Sequence, residues 1–343
     1  MSKRTCFCLG LGLFLFILQT GTQLPSAEED CPVTQDYFAN AADYSARHGG
    51  LTLRVQYRGR LLYQTFASGW SEQTPHKLYS GTKSFIAYAV WKAIFQDHLI
   101  SSLDEPACWT LGEWSRDGRR HITIRQLLTQ TSGLDTGNEE IYPESDQMRA
   151  SVRVHQIDPA GSVFRYGPAN YQALGEILRR KLNGRLSVES YVRRKAINPA
   201  GIMVEDWKQD PSGEPMIHTG LMLSTRQWAK YGEYLKRNFA QIQPMLQGTA
   251  ANPAYGMGFW LNVPLKVSLD KIRKLQVAID GDQLYEDGPT DLFAAIGAGK
   301  QRLYVIPSLD LVIVRFSQGD PFSDQDFLSR LLTGQAFPDK RSH

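Results

Sequence analysis

Hydrophobic and polar residues alternate from Leu51 to Tyr57, and the stretch "LTLRVQYRGRLLYQTFASG" (51–69) reads as a β-hairpin with "YRGR" as its turn. A helical period then takes over, in residues 82–97, 123–130, 171–182, 186–197 and 224–239, several of these segments opening on a Ser or Thr that suits an N-cap. Strand patterns return in 255–263, 301–307 and 309–316, and 323–334 reads as a closing helix. Strands at both ends with helices between them predict an α+β fold. One antiparallel sheet is formed by N- and C-terminal strands, with flanking helices and an inserted all-helical region over about 100–250.

The extreme N-terminus follows another logic. Lys3 and Arg4 precede an uncharged run from Cys6 to Leu18, which has the length of a signal-peptide apolar core and is too short for a membrane span. Cleavage is expected near Ala27, leaving a mature domain over 28–343, exported to the periplasm or the medium, with no stable membrane span. Cys31 sits behind Glu28, Glu29 and Asp30, the wrong surroundings for a lipid anchor. Cys6 and Cys8 leave with the leader, so Cys31 and Cys108 remain, either as one disulfide worth roughly 4 kcal/mol or as two unpaired buried thiols.

Composition changes this picture little. The net charge of +3 is scattered, with no run of five basic residues, which argues against a nucleic-acid partner. No internal repeat or low-complexity linker is present.

The candidate chemistry lies in "KLYSGTKSFIAYAVWKAIF" (77–95), where Ser80 and Lys83 share the first turn of a strongly apolar helix. Two readings fit. A lysine buried against apolar neighbours loses affinity for its proton and becomes a base for the serine hydroxyl; alternatively, Ser80 is an N-cap and Lys83 a solvated side chain. Ser268 and Lys271 have the same spacing but no apolar helix behind them, and read as a chance match.

Several stretches beyond this one, taken in order, carry a resemblance: "SGTK" (80–83), "TIRQLLTQTSGLD" (123–135), "FRYGPANYQALGEIL" (164–178), "TGLMLSTRQWAKYG" (219–232), "YGMGFW" (255–260) and "GAGKQRLYVIPSLDLVIV" (297–314). Together they resemble the serine β-lactamase and penicillin-binding-protein superfamily, in its class C-like branch of β-lactamase-related esterases and amide hydrolases. The resemblance implies that Ser80 is the acylated nucleophile and Lys83 its proton acceptor. It makes Tyr166 the second base, as a phenolate stabilised by the lysine, and the backbone N–H groups of Ser80 and Ala298 the oxyanion donors. In the family's Tyr-x-Asn element Pro168 replaces the asparagine, and in its Lys/His-x-Gly element Ala295 replaces the cation, while Gly297 is kept, leaving room for substrate along the strand edge. Both changes remove partners for a carboxylate. They point from β-lactams and cell-wall peptides to a small ester or amide, with no cofactor or metal. The alternatives are an inactive binding or sensing module and a β-lactamase or D-alanyl-D-alanine carboxypeptidase.

Other features carry less. Trp260 walls the pocket or belongs to the core, and His218 in "IHTG" is read as structural or rim-lining. No Gly-x-Ser-x-Gly or His-Glu-x-x-His is present, and "DGDQLYEDGPTD" (280–291) lacks EF-hand spacing and reads as a solvated loop.

Overall fold

The computed structural model describes residues 31–265, 283–319 and 321–337. The expected leader and the Ser268–Lys271 pair lie outside these residues. In chain order the elements are α1 (Gln35–Arg47), β1 (Gly50–Tyr57), β2 (Arg60–Phe66), β3 (Pro75–Lys77), α2 (Thr82–Phe95), α3 (Ile124–Leu128), α4 (Asn138–Ile141), α5 (Gln147–Ser151), α6 (Ala169–Leu182), α7 (Val188–Val192), β4 (Asp206–Trp207), β5 (Leu221–Ser224), α8 (Thr225–Arg237), α9 (Phe239–Ile242), β6 (Trp260–Leu261), β7 (Phe293–Gly297), β8 (Gln301–Ile306), β9 (Leu311–Ser317) and α10 (Asp324–Thr333).

A six-stranded antiparallel sheet runs in the order β2-β1-β9-β8-β7-β6, so the first long strand pairs with the last, Thr52 opposite Phe316 and Tyr57 opposite Leu311. The hairpin turns at Arg58 (φ 48°) and Gly59 (φ 76°), the left-handed pair that matches strand twist in a two-residue turn. The period-two pattern feeds two cores. Val312, Val314, Leu303 and Val305 face α2 and α8, whereas Ile313, Leu311, Tyr304 and Ile306 face α1 and α10.

Two arginines on that second face make it exacting. Arg302 and Arg315 stand opposite each other on β8 and β9, both fully buried. Arg302 donates to both carboxylate oxygens of Asp324, at 2.6 and 2.9 Å, and Tyr304 donates to the same carboxylate. Arg315 donates to Ser45 Oγ at 2.8 Å and to the His48 carbonyl at 2.6 Å, tying α1 to the sheet. Burial by itself would raise the Asp324 carboxyl; the charge and hydrogen bonds of Arg302 and the Tyr304 hydroxyl hold it below the ordinary aspartate range.

The long insertion is helical except for β4 and β5, which join β3 in a three-stranded sheet of order β3-β5-β4. The strand expected over 255–263 is cut to Trp260–Leu261, because Gly258 takes φ +84° and Gly256 is pressed against the Met245 carbonyl, where a Cβ would lie 2.4 Å away. Cys31 and Cys108 are both free and partly exposed, packed against different hydrophobic clusters, so neither the expected bridge nor full thiol burial is found. No helix among the described residues is long and apolar enough to cross a membrane.

Asp324→Asn removes the counter-charge that Arg302 has in the core and is expected to cost about 3–5 kcal/mol at neutral pH. A native carboxyl held low contributes stability above the ordinary aspartate range and loses it as pH falls through the native value. Urea midpoints of wild type and variant should therefore differ at pH 7 and converge on strong acidification.

Candidate active site

The site is built around the entry to α2. The chain leaves β3 through Leu78, makes one 3-10 turn at Tyr79–Gly81 and runs directly into the helix. Tyr79 has φ 48°, a left-handed conformation that costs a non-glycine residue about 1–3 kcal/mol and is kept only where the surroundings enforce it. They do so at β7: a Cβ on Gly297 would lie 2.0 Å from the Leu78 carbonyl oxygen. Glycine is thus required there so that the end of β7 can approach the turn carrying Ser80, a different reason from the substrate clearance expected above. Ala298 follows in an exposed turn beside that contact.

Lys83 is 3% exposed, because α2 is buried around almost its whole circumference. Its Nζ donates to Ser80 Oγ at 3.0 Å and to the His218 carbonyl at 3.0 Å, and it lies 4.8 Å from the centroid of the Tyr166 ring. No carboxylate offsets its charge among the described residues, and burial lowers its pKa to about 7. An amine lowered this far costs the fold on the order of 5 kcal/mol, in full below the native pKa and vanishing above the ordinary lysine value.

Tyr166 enters ahead of α6, its ring set among Phe164 (6.1 Å between centroids), Tyr255 (5.8 Å) and Trp260 (5.9 Å). Burial pushes its pKa up to about 12, the nearby Ser80 side chain acting in the opposite direction. Burial thus favours a neutral phenol over the phenolate that the resemblance implies, and Lys83 lies against the ring face. Trp260, 1% exposed, is a core residue that backs Tyr166.

Pro168 is buried at the start of α6, and its side chain offers no polar atom. Asn170, two residues on, does not replace the missing asparagine. It is buried, donating to Gln130 Oε1 at 3.0 Å and accepting from Ser132 Oγ at 2.5 Å. Ala295 is buried on the α2 side of β7, and Ile296 points into the opposite core. Beside Tyr79 and Ala298 opens a cleft of about 470 Å³, lined by Trp70, His76 and Gln301 among others, with no acidic, lysine or arginine side chain. Burial lowers the His76 pKa, so its ring is neutral as well.

His218 is buried beneath the site, as the sequence reading allowed. Two further residues were not anticipated: Gln172, 3.0 Å from His218 Nδ1, and the half-exposed Tyr142, whose hydroxyl is 3.2 Å from His218 Nε2. Nothing local in the sequence marks either residue. Among the described residues no group of three His, Cys, Asp or Glu side chains is placed to hold a metal, and Asp291 of the acidic loop instead accepts from Ser308.

A fold and site of this kind define a class, the β-lactamase-type serine hydrolases. The Beta-lactamase family model matches residues 35–335, and the chain belongs to that family. Similar solved structures include EstCE1, a hydrolase with promiscuous acyltransferase activity (TM-score 0.64, 16% identity, covering 87% of this chain and 99% of that one). A class C β-lactamase from Rhodobacter sphaeroides (0.63, 14%, 88% and 99%) and a D-stereospecific amidohydrolase from Streptomyces sp. (0.62, 15%, 88% and 99%) are also similar. At such identities the structures establish the shared fold alone. No curated protein matches the sequence.

Gly297→Ala should push the Leu78–Ser80 turn away from β7. The expected result is a fall of about 100-fold or more in the rate at which a fluorophosphonate labels Ser80, with a cooperative thermal transition retained.

Proposed function

We propose that the protein is an exported serine hydrolase that cleaves a small, uncharged ester, or less readily an amide, through an acyl-enzyme on Ser80. The observation that carries this reading is the Lys83 amine, hydrogen-bonded to Ser80 Oγ and lowered by burial to a pKa of about 7, so that a substantial fraction is neutral and able to accept a proton near neutral pH. Lys83 accepts the Ser80 proton as Oγ forms a bond to the substrate carbonyl carbon. The Ser80 and Ala298 N–H groups are the candidate donors to the resulting oxyanion. As the bond to the leaving group breaks, the Tyr166 phenol protonates the departing alkoxide or amine, and the Lys83 ammonium returns a proton to Tyr166. Water then attacks the acyl-enzyme, and the acid departs.

Substrate class follows from what surrounds these groups. Pro168 and Ala295 give a carboxylate no partner, and the adjoining cleft holds no ionised side chain. Burying a substrate charge there would cost several kcal/mol without compensation. This weighs against a β-lactamase or D-alanyl-D-alanine carboxypeptidase. Against an inactive binding module stands the cost of Lys83 itself, which a merely structural residue would avoid. Export rests on the basic-then-apolar leader ending near Ala27.

The test is intact-protein mass spectrometry of the secreted chain after brief exposure to a fluorophosphonate, alongside turnover of p-nitrophenyl esters and a cephalosporin. The expected outcome is one adduct on a chain beginning near Glu28, absent from Ser80→Ala, with ester turnover and no cephalosporin turnover. An unreactive wild-type serine would overturn the enzyme reading.

A further inference from the structure

Tyr142 follows α4 at the rim of the site, 48% exposed, and its ring lies 5.4 Å from that of His218. The direction of its hydrogen bonding is set from the interior. Gln147 Oε1 accepts from the Gln172 amide nitrogen at 3.1 Å, which fixes that nitrogen as a donor. That same amide nitrogen lies 3.0 Å from His218 Nδ1. An amide N–H only donates, so Nδ1 is the acceptor and the imidazole proton resides on Nε2. Burial and the nearby Lys83 keep the ring neutral, consistent with one proton. His218 Nε2–H then donates to the Tyr142 oxygen at 3.2 Å, which leaves the Tyr142 proton to point away from the protein interior.

His218 also connects this rim to the reaction centre, because its carbonyl oxygen holds Lys83 Nζ. Tyr142 stands near enough to Tyr166 for the two phenols to interact electrostatically. That places it beside the group that would protonate the leaving group. Pro168 and Ala295 offer a substrate no polar side-chain atom, whereas Tyr142 offers one oriented, uncharged donor.

We infer that Tyr142 is a specificity residue that donates a hydrogen bond to a second oxygen carried by the leaving alcohol, with His218 as its positioning residue. The inference rests on the ester-hydrolase reading above and narrows its substrate class. Preferred substrates are esters whose alcohol part bears an ether, carbonyl or hydroxyl oxygen within reach of the rim. A neutral phenol suits such acceptors, and a carboxylate there would lack the cation it needs.

The test compares 2-methoxyethyl acetate with butyl acetate, which differ by an oxygen in place of a methylene, by pH-stat titration of acid release. Taking the ratio of variant to wild type for each ester cancels their intrinsic reactivities. Tyr142→Phe should lower kcat/KM for the methoxyethyl ester about 5- to 10-fold, the effect of one uncharged hydrogen bond, and change the butyl ester less than about 2-fold. His218→Gln should produce part of the same selective loss. In the double variant the two losses should be strongly non-additive, which a purely structural histidine would not produce. Equal effects of Tyr142→Phe on both esters, with Ser80→Ala inactive, would overturn this inference and leave the hydrolase reading standing. Turnover surviving in Ser80→Ala, or no wild-type turnover of either ester, would overturn the hydrolase reading and this inference with it.

Discussion

Almost everything at this site follows from keeping one amine out of water. Lys83 sits where α2 disappears into the larger hydrophobic cluster, and neither of its hydrogen-bond acceptors, Ser80 Oγ and the His218 carbonyl, is charged. A carboxylate in place of either would pair with the lysine and hold it protonated. The apolar circumference of α2 is thus a chemical feature as well as a packing one. It turns an ordinary cation into an acceptor placed one helical turn from a hydroxyl. The surrounding architecture keeps that arrangement in register: β7 presses on Leu78, and the buried arginines of β8 and β9 lock α1 and α10 to the far face of the same sheet.

The same economy of charge extends to the substrate side. Pro168, Ala295, the neutral His76 and the cleft beside Tyr79 present shape and weak polarity, without fixed ions. Tyr166 is backed by Trp260 and Tyr255, and burial favours its neutral phenol.

Much of this was legible in the sequence where the signal is local. The 51–69 hairpin, the helices at α2, α6 and α8 and the Ser80–Lys83 spacing all follow from short-range periodicity. What escaped depends on long-range packing. β7 is a five-residue apolar run buried on both faces, with no alternation to announce it, and β3, β4 and β5 are too short to carry a pattern. The rim network joins residues 46 and 76 positions apart, Gln172 and Tyr142 to His218, through side chains common in any core. The resemblance transfers residue types, whereas the balance between phenol and phenolate at Tyr166 depends on how deeply the ring is buried.

The chemistry of the site depends on the charge of the Lys83 side chain, which titration reads directly. In protein labelled with 13C and 15N at lysine, with Lys83→Arg used for assignment, the Lys83 Cε and Nζ resonances can be followed against pH. The account predicts a midpoint at about 7, leaving the amine largely free to accept a proton under mildly alkaline conditions. A Lys83 that stays protonated up to the ordinary lysine value of 10.5 would contradict it and leave Ser80 without its base.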